Sequence, residues 1–402
     1  MPRGVLTALG VMLLLQTLIA FSAHSPAVFA PVVTRDLGLA PERVGLFIVI
    51  AYLVAMFAGL ACNNFIARYG PLRVVQVCIA SAGLGLMIGG VGIILSVVVG
   101  ALVIGFGQGM TGPASTVILA ARSPRNRIAL ILSIKQSGVP IGAAIAGAIV
   151  PGLILAVGWQ VTVGAIGAGF ILIAIALQPM RASYDRARNP NVRISVAGSI
   201  IQMKESVALA WANRRLRDLS LASFAFVAIQ LVVMTYLVSY LHFVLHYSLV
   251  AAGLVFAAAQ VSGIAGRLLW GVLGDRVRRG DLLLGALGPA MAAFAVAAAF
   301  WTETSSPFIV YGVAVLFGIT GVGWNGLFMA EVVRAVRSEE IGRATGGAQF
   351  FSFLGGIVGP PLGGAIVSAG GGYGLGFMVV AVIALAAGVN LLLGPPLEHA
   401  IP

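Results

Sequence analysis

Charged residues are scarce in this chain of 402 residues: they make up 9% of it, whereas 60% is hydrophobic and the mean hydropathy is +1.05. Soluble domains carry about 25% charged residues, so this composition excludes a soluble globular protein. There are only two cysteines, Cys62 and Cys78, and both fall within apolar segments. Two such thiols supply neither a disulfide framework nor a set of metal ligands. The sequence predicts a membrane protein with many spans and no separate globular domain.

Acidic side chains are absent from the interior of the apolar segments, although two cations lie there. The 12 Asp and Glu residues fall in loops or at the ends of spans, with Glu331 the nearest to an interior. Lys135 lies within RIALILSIKQSGVPIGAAIAG, and Arg267 within VFAAAQVSGIAGRLLWGVLGD. A cation near the bilayer centre costs about 2.5–3.5 kcal/mol and usually faces a cavity. Two such cations indicate a pathway for an anion; the structural alternative is that each extends to the lipid headgroups.

The hydrophobic pattern predicts an all-α membrane protein, because about 20 predominantly apolar residues are needed to span a bilayer. Twelve segments qualify: 5–30, 44–66, 72–94, 96–121, 128–154, 159–178, 218–240, 249–273, 281–301, 307–330, 344–369 and 373–394. We predict an N-terminal six-helix half over 1–178, a linker over 179–217 and a C-terminal six-helix half over 218–402. Within the linker, the pattern over 201–218 favours an amphipathic helix at the membrane surface.

The distribution of positive charge predicts the orientation. With the N-terminus inside, 20 of the 24 Lys and Arg residues fall on the inner side, whereas only Arg35 and Arg43 fall outside. Cytoplasmic loops carry such an excess. We therefore expect a multi-pass protein of the cell inner membrane with both termini in the cytoplasm. The net charge of +12 follows from this loop bias rather than from a nucleic-acid surface.

The two halves resemble each other in sequence. The segment RIALILSIKQSGVPIGAAIAG in span 5 aligns with RATGGAQFFSFLGGIVGPPLG in span 11, which pairs Arg127 with Arg343 and Gly147 with Gly363. Parallel repeats of six spans are typical of transporters with a substrate site near the midplane between the halves. We interpret the glycines of span 11 as contacts of a closely packed, bendable helix.

The loop after span 8 reads GVLGDR over 271–276, which resembles the G-x-L-x-D-R signature of the major facilitator superfamily. The equivalent first-half loop, NNFIARYG over 63–70, has Ala67 where the signature has Asp. The resemblance implies twelve helices in two six-helix halves, and a loop that stabilises the outward-facing state. It assigns a gating role to the matching residues: Gly271, Asp275, Arg276, Arg68 and Gly70.

The segment GRLLWG over 266–271 resembles the eighth helix of the monocarboxylate and oxalate/formate branches of this superfamily. In those branches an Arg four residues before the loop glycine binds the substrate carboxylate, and Arg267 matches that position. A guanidinium suits the role because it can hold a carboxylate through two parallel hydrogen bonds. Lys135 and Arg267 both lie about 9–11 Å from the inner ends of their spans. Since helices 5 and 8 are neighbours across the halves in this superfamily, we expect the two cations to face one cavity.

Polar side chains of other spans complete the predicted site. We assign substrate contacts to four residues in addition to Arg267 and Lys135: Gln136, Gln108, Tyr236 and Asn325. His24 lies deep within a span and can titrate near neutral pH, so it is the candidate proton carrier. The alternative is that each of these side chains joins neighbouring helices, and that His24 is a packing residue.

Together these features predict a secondary active transporter of a small, monocarboxylate-like organic anion that works by alternating access. We expect a monomer in the lipid bilayer, without a cofactor or a nucleic-acid partner, whose partners are the anion and protons. The spans contain no Asp or Glu in their interior that would suggest a sodium site, so proton symport is expected. Facilitated anion exchange is the near alternative. Multidrug or cation efflux would require a buried carboxylate. An intramembrane enzyme or a receptor would require a catalytic cluster or a signalling domain, and a lipid flippase of this fold is a further alternative.

The predicted pairing of the two cations leads to a double-mutant test. If Lys135 and Arg267 hold one anion, Lys135→Gln and Arg267→Gln should give non-additive losses of substrate affinity when combined. Binding affinities of the two single variants and the double variant, measured by titration, check this. Additivity within about 0.5 kcal/mol would show that the two cations do not share an anion.

Overall fold

The computed structural model describes residues 3–122, 128–186, 188–192, 196–277, 279–337 and 340–394. The regular secondary structure in these ranges is helical, without a strand. Eight α-helices precede residue 190: α1 (Arg3–Asp36), α2 (Val44–Tyr69), α3 (Pro71–Gly89), α4 (Ile94–Ala120), α5 (Ile128–Gln136), α6 (Gly138–Val157), α7 (Trp159–Ala176) and α8 (Arg181–Tyr184). Eight more follow: α9 (Val196–Ala212), α10 (Arg214–Phe243), α11 (Leu249–Arg276), α12 (Gly280–Ala299), α13 (Pro307–Phe317), α14 (Asn325–Arg334), α15 (Ile341–Ile366) and α16 (Gly372–Leu393).

Eleven helical stretches in this described part of the chain are long and apolar enough to cross a membrane. The last runs from Arg343 to Leu393 and is 51 residues long. It contains two spans, because Gly370 has a φ of +86°, which interrupts the helix between α15 and α16. The twelve spans predicted from the sequence are thereby accounted for, and the predicted all-α membrane fold is confirmed.

The chain forms two compact units. One consists of Met1–Leu39 and Ile50–Ser199, and the other of Ala40–Val49 and Ile200–Pro402. The predicted linker is therefore divided between the two units at residue 199. Residues Ala40–Val49, which include the start of α2, belong to the second unit, whereas the predicted boundaries place them in the first half. There the Tyr236 hydroxyl donates to the Glu42 carbonyl at 3.0 Å.

Glycines bring helices of the first unit into backbone contact. A Cβ atom at Gly142 of α6 would overlap the Thr17 carbonyl oxygen of α1. A Cβ at Gly83 of α3 would lie 2.5 Å from the Gly167 carbonyl oxygen of α7. Without side chains at these points the helices can approach more closely than larger residues permit.

The second unit repeats this arrangement with the glycines of span 11. A Cβ at Gly359 of α15 would lie 2.9 Å from the Ala228 Cα of α10, and one at Gly355 would overlap the Phe224 carbonyl oxygen. The close packing predicted for this helix is confirmed. Because α6 packs on α1 in the first unit and α15 packs on α10 in the second, the sequence repeat corresponds to an equivalent helix pair in each unit.

The bounds predicted for the linker helix, 201–218, are wrong, because that segment is divided between two helices. Helix α9 ends at Ala212, and the Asn213 side chain accepts a hydrogen bond from the Leu216 N–H at 3.2 Å. An Asn in this position satisfies an N–H that has no partner at the start of a helix, so α10 begins here. Trp211 of α9 stacks on Phe351 of α15.

Span 5 is broken between α5 and α6, directly after Lys135 and Gln136. Pro140 has no N–H to donate to the carbonyl of Gln136, four residues earlier. The Ser137 N–H instead donates to the Ile134 carbonyl at 3.1 Å. Lys135 therefore lies in the last turn of a short helix rather than within a long one.

A single carboxylate joins α3 to the segment that follows α7. The Asp185 side chain accepts hydrogen bonds from the N–H groups of Leu72 and Arg73, at 2.8 and 3.2 Å. It also accepts one from Arg181 Nε at 3.1 Å. Two of the free N–H groups at the start of α3 are thus satisfied by a residue more than 110 positions away in sequence.

We expect Asp185→Ala to destabilise the protein by about 1–2 kcal/mol, because the start of α3 loses its cap. Thermal unfolding in detergent measures this. Asp218→Ala is the matched control, since Asp218 only pairs with Arg214 at 3.9 Å one helical turn away. Such a surface pair contributes roughly 0.2–1 kcal/mol. Equal losses in the two variants would contradict the capping role.

Candidate functional site

Lys135 is the most deeply buried cation described in the first unit. Its side chain is 2% exposed, and its ammonium has no hydrogen-bond or ion-pair partner among the described residues. Burial of an ion without a partner is unfavourable by several kcal/mol in proteins. An intramembrane cation in this state is therefore a candidate ligand-binding group.

Two glutamine side chains of the first unit also have unused hydrogen-bonding capacity. The Oε1 atoms of Gln16 on α1 and Gln108 on α4 are buried and have no partner in the described part of the chain. Helix α5, which carries Lys135, packs against both α1 and α4. Gln16 lies beside the start of α6, since a Cβ at Gly138 would lie 3.0 Å from the Gln16 Cβ. Gln108 was predicted from the sequence, whereas Gln16 was missed although it, too, is a polar residue inside a span.

The other predicted residues of the first unit lie in different surroundings. Gln136 is exposed, unlike the adjacent Lys135. His24 is partly buried, and its Nδ1 donates to the Ala20 carbonyl of its own helix at 2.8 Å. That bond is what a packing histidine forms, and the role of His24 in proton coupling stays a prediction.

Arg267 lies on α11 against a π-helical segment, Gly318–Val322, that follows α13. Glycines make this approach possible: a Cβ at Gly266 would overlap the Ile319 carbonyl oxygen, and a Cβ at Gly323 would lie 2.9 Å from the Gly266 Cα. The Arg267 Nε donates to the Val322 carbonyl at 3.4 Å.

Two more side chains of α11 donate to carbonyls in and beside the same segment. Ser262 Oγ donates to the Val315 carbonyl at 2.9 Å, and Trp270 Nε1 to the Ile319 carbonyl at 2.7 Å. A π-helix shifts the backbone hydrogen bonds by one residue and often marks a functional site. Arg267 therefore supports the backbone of this segment in addition to carrying a charge. The sequence did not predict its hydrogen bond to Val322.

The remaining predicted residues of the second unit lie on α10 and α14. Trp324 is fully buried and donates from Nε1 to Gln230 Oε1 at 3.0 Å. The next residue, Asn325, is partly buried, and its side chain has no hydrogen-bond partner in the described part of the chain. The Tyr236 hydroxyl is engaged in packing, since it lies 2.7 Å from the Pro360 carbonyl oxygen and 3.0 Å from that of Glu42.

The second-half loop motif packs closely through one of its two glycines. A Cβ at Gly271 would have no neighbour within 4 Å. A Cβ at Gly274 would lie 2.6 Å from Leu327, and the Gly274 carbonyl accepts from Arg334 Nη1 at 3.2 Å. Arg276 is exposed at the end of α11, and the side chain of Asp275 lies outside the described residues.

The first-half loop has an acidic partner despite Ala67. Gly70 precedes α3 with a φ of +92°, and a Cβ there would overlap the Asp185 side chain. Arg68 Nη1 donates to the Val192 carbonyl at 3.5 Å. Asp185 therefore lies against this loop, although it comes from a distant segment. No local signal in the sequence could have identified that contact.

A buried carboxylate does occur in the second unit, but it is bound by two arginines. Glu331 is 1% exposed, with Arg215 Nη2 at 3.0 Å and Arg334 Nη1 at 2.7 Å. Its charge is therefore compensated within the unit. Since Lys135 belongs to the first unit and Arg267 to the second, their pairing on one anion stays a prediction from the sequence.

The sequence matches the Major Facilitator Superfamily over residues 12–360. The chain belongs to this superfamily. It is 25% identical over 408 aligned residues to a protein of Cupriavidus necator named as a probable sulfoacetate transporter, SauU, covering 96% of this chain and 93% of that protein. The fold is similar to a bacterial homologue of the lysosomal transporter Spinster (TM-score 0.74, 16% identity, 98% of each chain) and to the nucleoside transporter NupG (TM-score 0.76, 13% identity, 96% of this chain and 99% of that one). The protein is thus a multi-pass membrane transporter.

We expect Arg267→Lys to reduce transport roughly ten- to a hundredfold, because Lys keeps the charge but loses the planar fork. Initial rates of uptake into proteoliposomes measure this. Trp270→Phe is the control, since it removes a donor to the same π-helical segment without changing charge. Equal defects in both variants would show that Arg267 acts by supporting the segment rather than by binding substrate.

Proposed function

We propose that this transporter moves a small organic anion, monocarboxylate-like in its chemistry, across the inner membrane by alternating access and in symport with protons. The observation that carries the proposal is the buried ammonium of Lys135, which lacks a partner among the described residues. A bound carboxylate or sulfonate would supply both the missing charge and hydrogen-bond acceptors. Such an anion offsets the cost of burial only while it is bound.

Polar groups on the helices that pack against α5 suit an organic anion rather than a simple ion. Gln16 and Gln108 lie on the two helices that pack against α5, and each has a buried amide oxygen without a partner in the described ranges. An amide can both accept and donate hydrogen bonds. These two side chains would therefore contact the uncharged part of the substrate, such as a hydroxyl group, while Lys135 holds the acid group.

The charges argue against the alternative of multidrug or cation efflux. A cationic substrate would be repelled by Lys135, and it would need a carboxylate with a free charge. Glu331 is buried but already forms ion pairs with Arg215 and Arg334. Removing a partner from such a group leaves an uncompensated charge, which is strongly unfavourable. Anion transport is therefore the better supported function.

The similarity to SauU supports the same chemical class. Sulfoacetate is a two-carbon compound that carries one sulfonate and one carboxylate. At 25% identity we take from this relative the class, a short organic anion, rather than the compound. Acetate, lactate and sulfoacetate, which differ in charge and in hydroxyl groups, are the first compounds to compare.

We expect Lys135→Gln to lower the apparent affinity for the anion roughly ten- to a hundredfold, since a hydrogen bond to a charged group contributes about 1.5–3 kcal/mol. Uptake of each radiolabelled anion into proteoliposomes, with an imposed proton gradient, measures both affinity and coupling. Wild-type protein should accumulate the anion above its external concentration only when the gradient is present. Exchange without protons would instead give equilibration and no accumulation.

Lys204→Gln is the matched control, because it makes the same change at an exposed lysine on α9. It should leave uptake unchanged. Lys135→Gln should unfold at the same temperature as the wild type or higher, because it removes an unpaired buried charge. Unaltered anion affinity in this folded variant would exclude Lys135 from the site and remove the main support for the proposal.

A further inference from the structure

A groove separates part of α3 from part of α7 on the first unit. The two helices touch through backbone at Gly83 and Gly167. Nearer the start of α3 a side chain joins them instead: Gln76 Nε2 donates to the Ala174 carbonyl at 3.0 Å and to Gln178 Oε1 at 3.2 Å. Beside this bridge lies a cavity of about 350 Å³.

The walls of this groove are apolar. They are formed mainly by Val77 and Ala80 of α3 and by Ile171 and Ile175 of α7. Val77 and Ile175 are 42% and 63% exposed, so the groove is open along its length. From Arg73 to Ala80 it follows about 10 Å of helix. An open apolar groove on a membrane helix pair fits an acyl chain.

Arginines surround the end of the groove that lies near the start of α3. Arg73 lines the groove itself, and a second cavity of about 500 Å³ adjoins it through Gln178, which lines both. Three more arginines line this second cavity: Arg181, Arg186 and Arg188. The guanidinium groups of Arg73 and Arg188 have no hydrogen-bond or ion-pair partner within the described ranges.

The acidic residue in this cluster does not cancel its charge. Asp185 also lines the second cavity, but its oxygens already accept from the Leu72 and Arg73 N–H groups and from Arg181. The remaining arginines leave an excess of positive charge. A phosphate group matches it, because guanidinium groups bind phosphate through paired hydrogen bonds.

Gln76 presents a third feature between the arginines and the apolar walls. Its side chain is 4% exposed, and its Oε1 is buried without a partner in the described part of the chain. The orientation of the amide is set, because its nitrogen faces a carbonyl oxygen that can only accept. The Gln76 bridge therefore separates the arginines from the apolar walls of the groove.

We propose that an anionic glycerophospholipid binds in this groove. Its phosphate contacts Arg73 and Arg188, and one acyl chain lies between α3 and α7. Phosphatidylglycerol has the net negative charge that matches the arginines, whereas phosphatidylcholine is neutral overall. Attraction of arginines to anionic lipid adds to this selectivity.

Fluorescence quenching by lipids with brominated acyl chains tests the proposal. Ile175→Trp places an indole in the groove, and Leu172→Trp is the matched control on the same helix, because these residues are 63% and 66% exposed and Leu172 does not line the groove. Both variants are placed in nanodiscs that contain the two lipids, with one or the other lipid brominated. The quenching of the introduced tryptophan is the increase over that of the five native tryptophans. We expect brominated phosphatidylglycerol to be preferred over brominated phosphatidylcholine at residue 175 but not at residue 172. Equal preference at both positions would overturn the proposal.

Substitution of the arginines tests the headgroup contact. In the Ile175→Trp background, Arg73→Gln and Arg188→Gln should each reduce the preference for phosphatidylglycerol by up to about fivefold. Arg337→Gln removes an exposed arginine of the second unit and should leave the preference unchanged. Equal effects of all three variants would show general surface attraction and overturn the proposal. So would full displacement of the lipid by glycerol phosphate, because a free phosphate site needs no acyl chain.

Discussion

Buried charges in this protein are held by specific partners. An ion taken out of water loses several kcal/mol of solvation unless a partner restores it. Glu331 forms ion pairs with two arginines. Asp185 accepts hydrogen bonds from two backbone N–H groups and forms an ion pair with Arg181. Lys135 is buried to the same degree and has no such partner in the described part of the chain. This exception is the basis for the proposal that Lys135 binds the anion.

Backbone irregularities lie beside both intramembrane cations. Pro140 breaks span 5 just after Lys135, and a π-helical segment packs against Arg267. Irregular backbone at membrane depth persists where side chains or other helices satisfy the freed polar groups. In the second unit Ser262, Arg267 and Trp270 supply those donors. In the second unit, Arg267 and the irregular backbone thus support each other.

Much of the fold could be predicted from the sequence, because a bilayer imposes a minimum length on each apolar helix. The twelve spans and the close packing of span 11 followed from patterns within single segments. Lys135 and Gln108 could be identified for the same reason, since a polar residue in an apolar run is visible locally. Gln16 was equally visible and was overlooked.

Contacts between distant segments could not be predicted in this way. The acid that lies against the first-half loop is Asp185, and nothing near Ala67 indicates it. Arg267 was interpreted from its charge and its place in the GRLLWG segment, because the π-helical segment that accepts its hydrogen bond has no simple sequence pattern. The end of α9 at Ala212 was missed since a continuous amphipathic pattern extends across it. In each case a specific side-chain hydrogen bond, rather than hydrophobic periodicity, determines the structure.

The break in span 5 has a mechanical consequence. The glycine contacts that hold α6 against the backbone of α1 begin at Gly138, after the break, whereas Lys135 lies before it. Helix α5 is nine residues long and has no corresponding glycine contact. The glycine contacts therefore hold α6 against α1 but do not include the turn that carries Lys135.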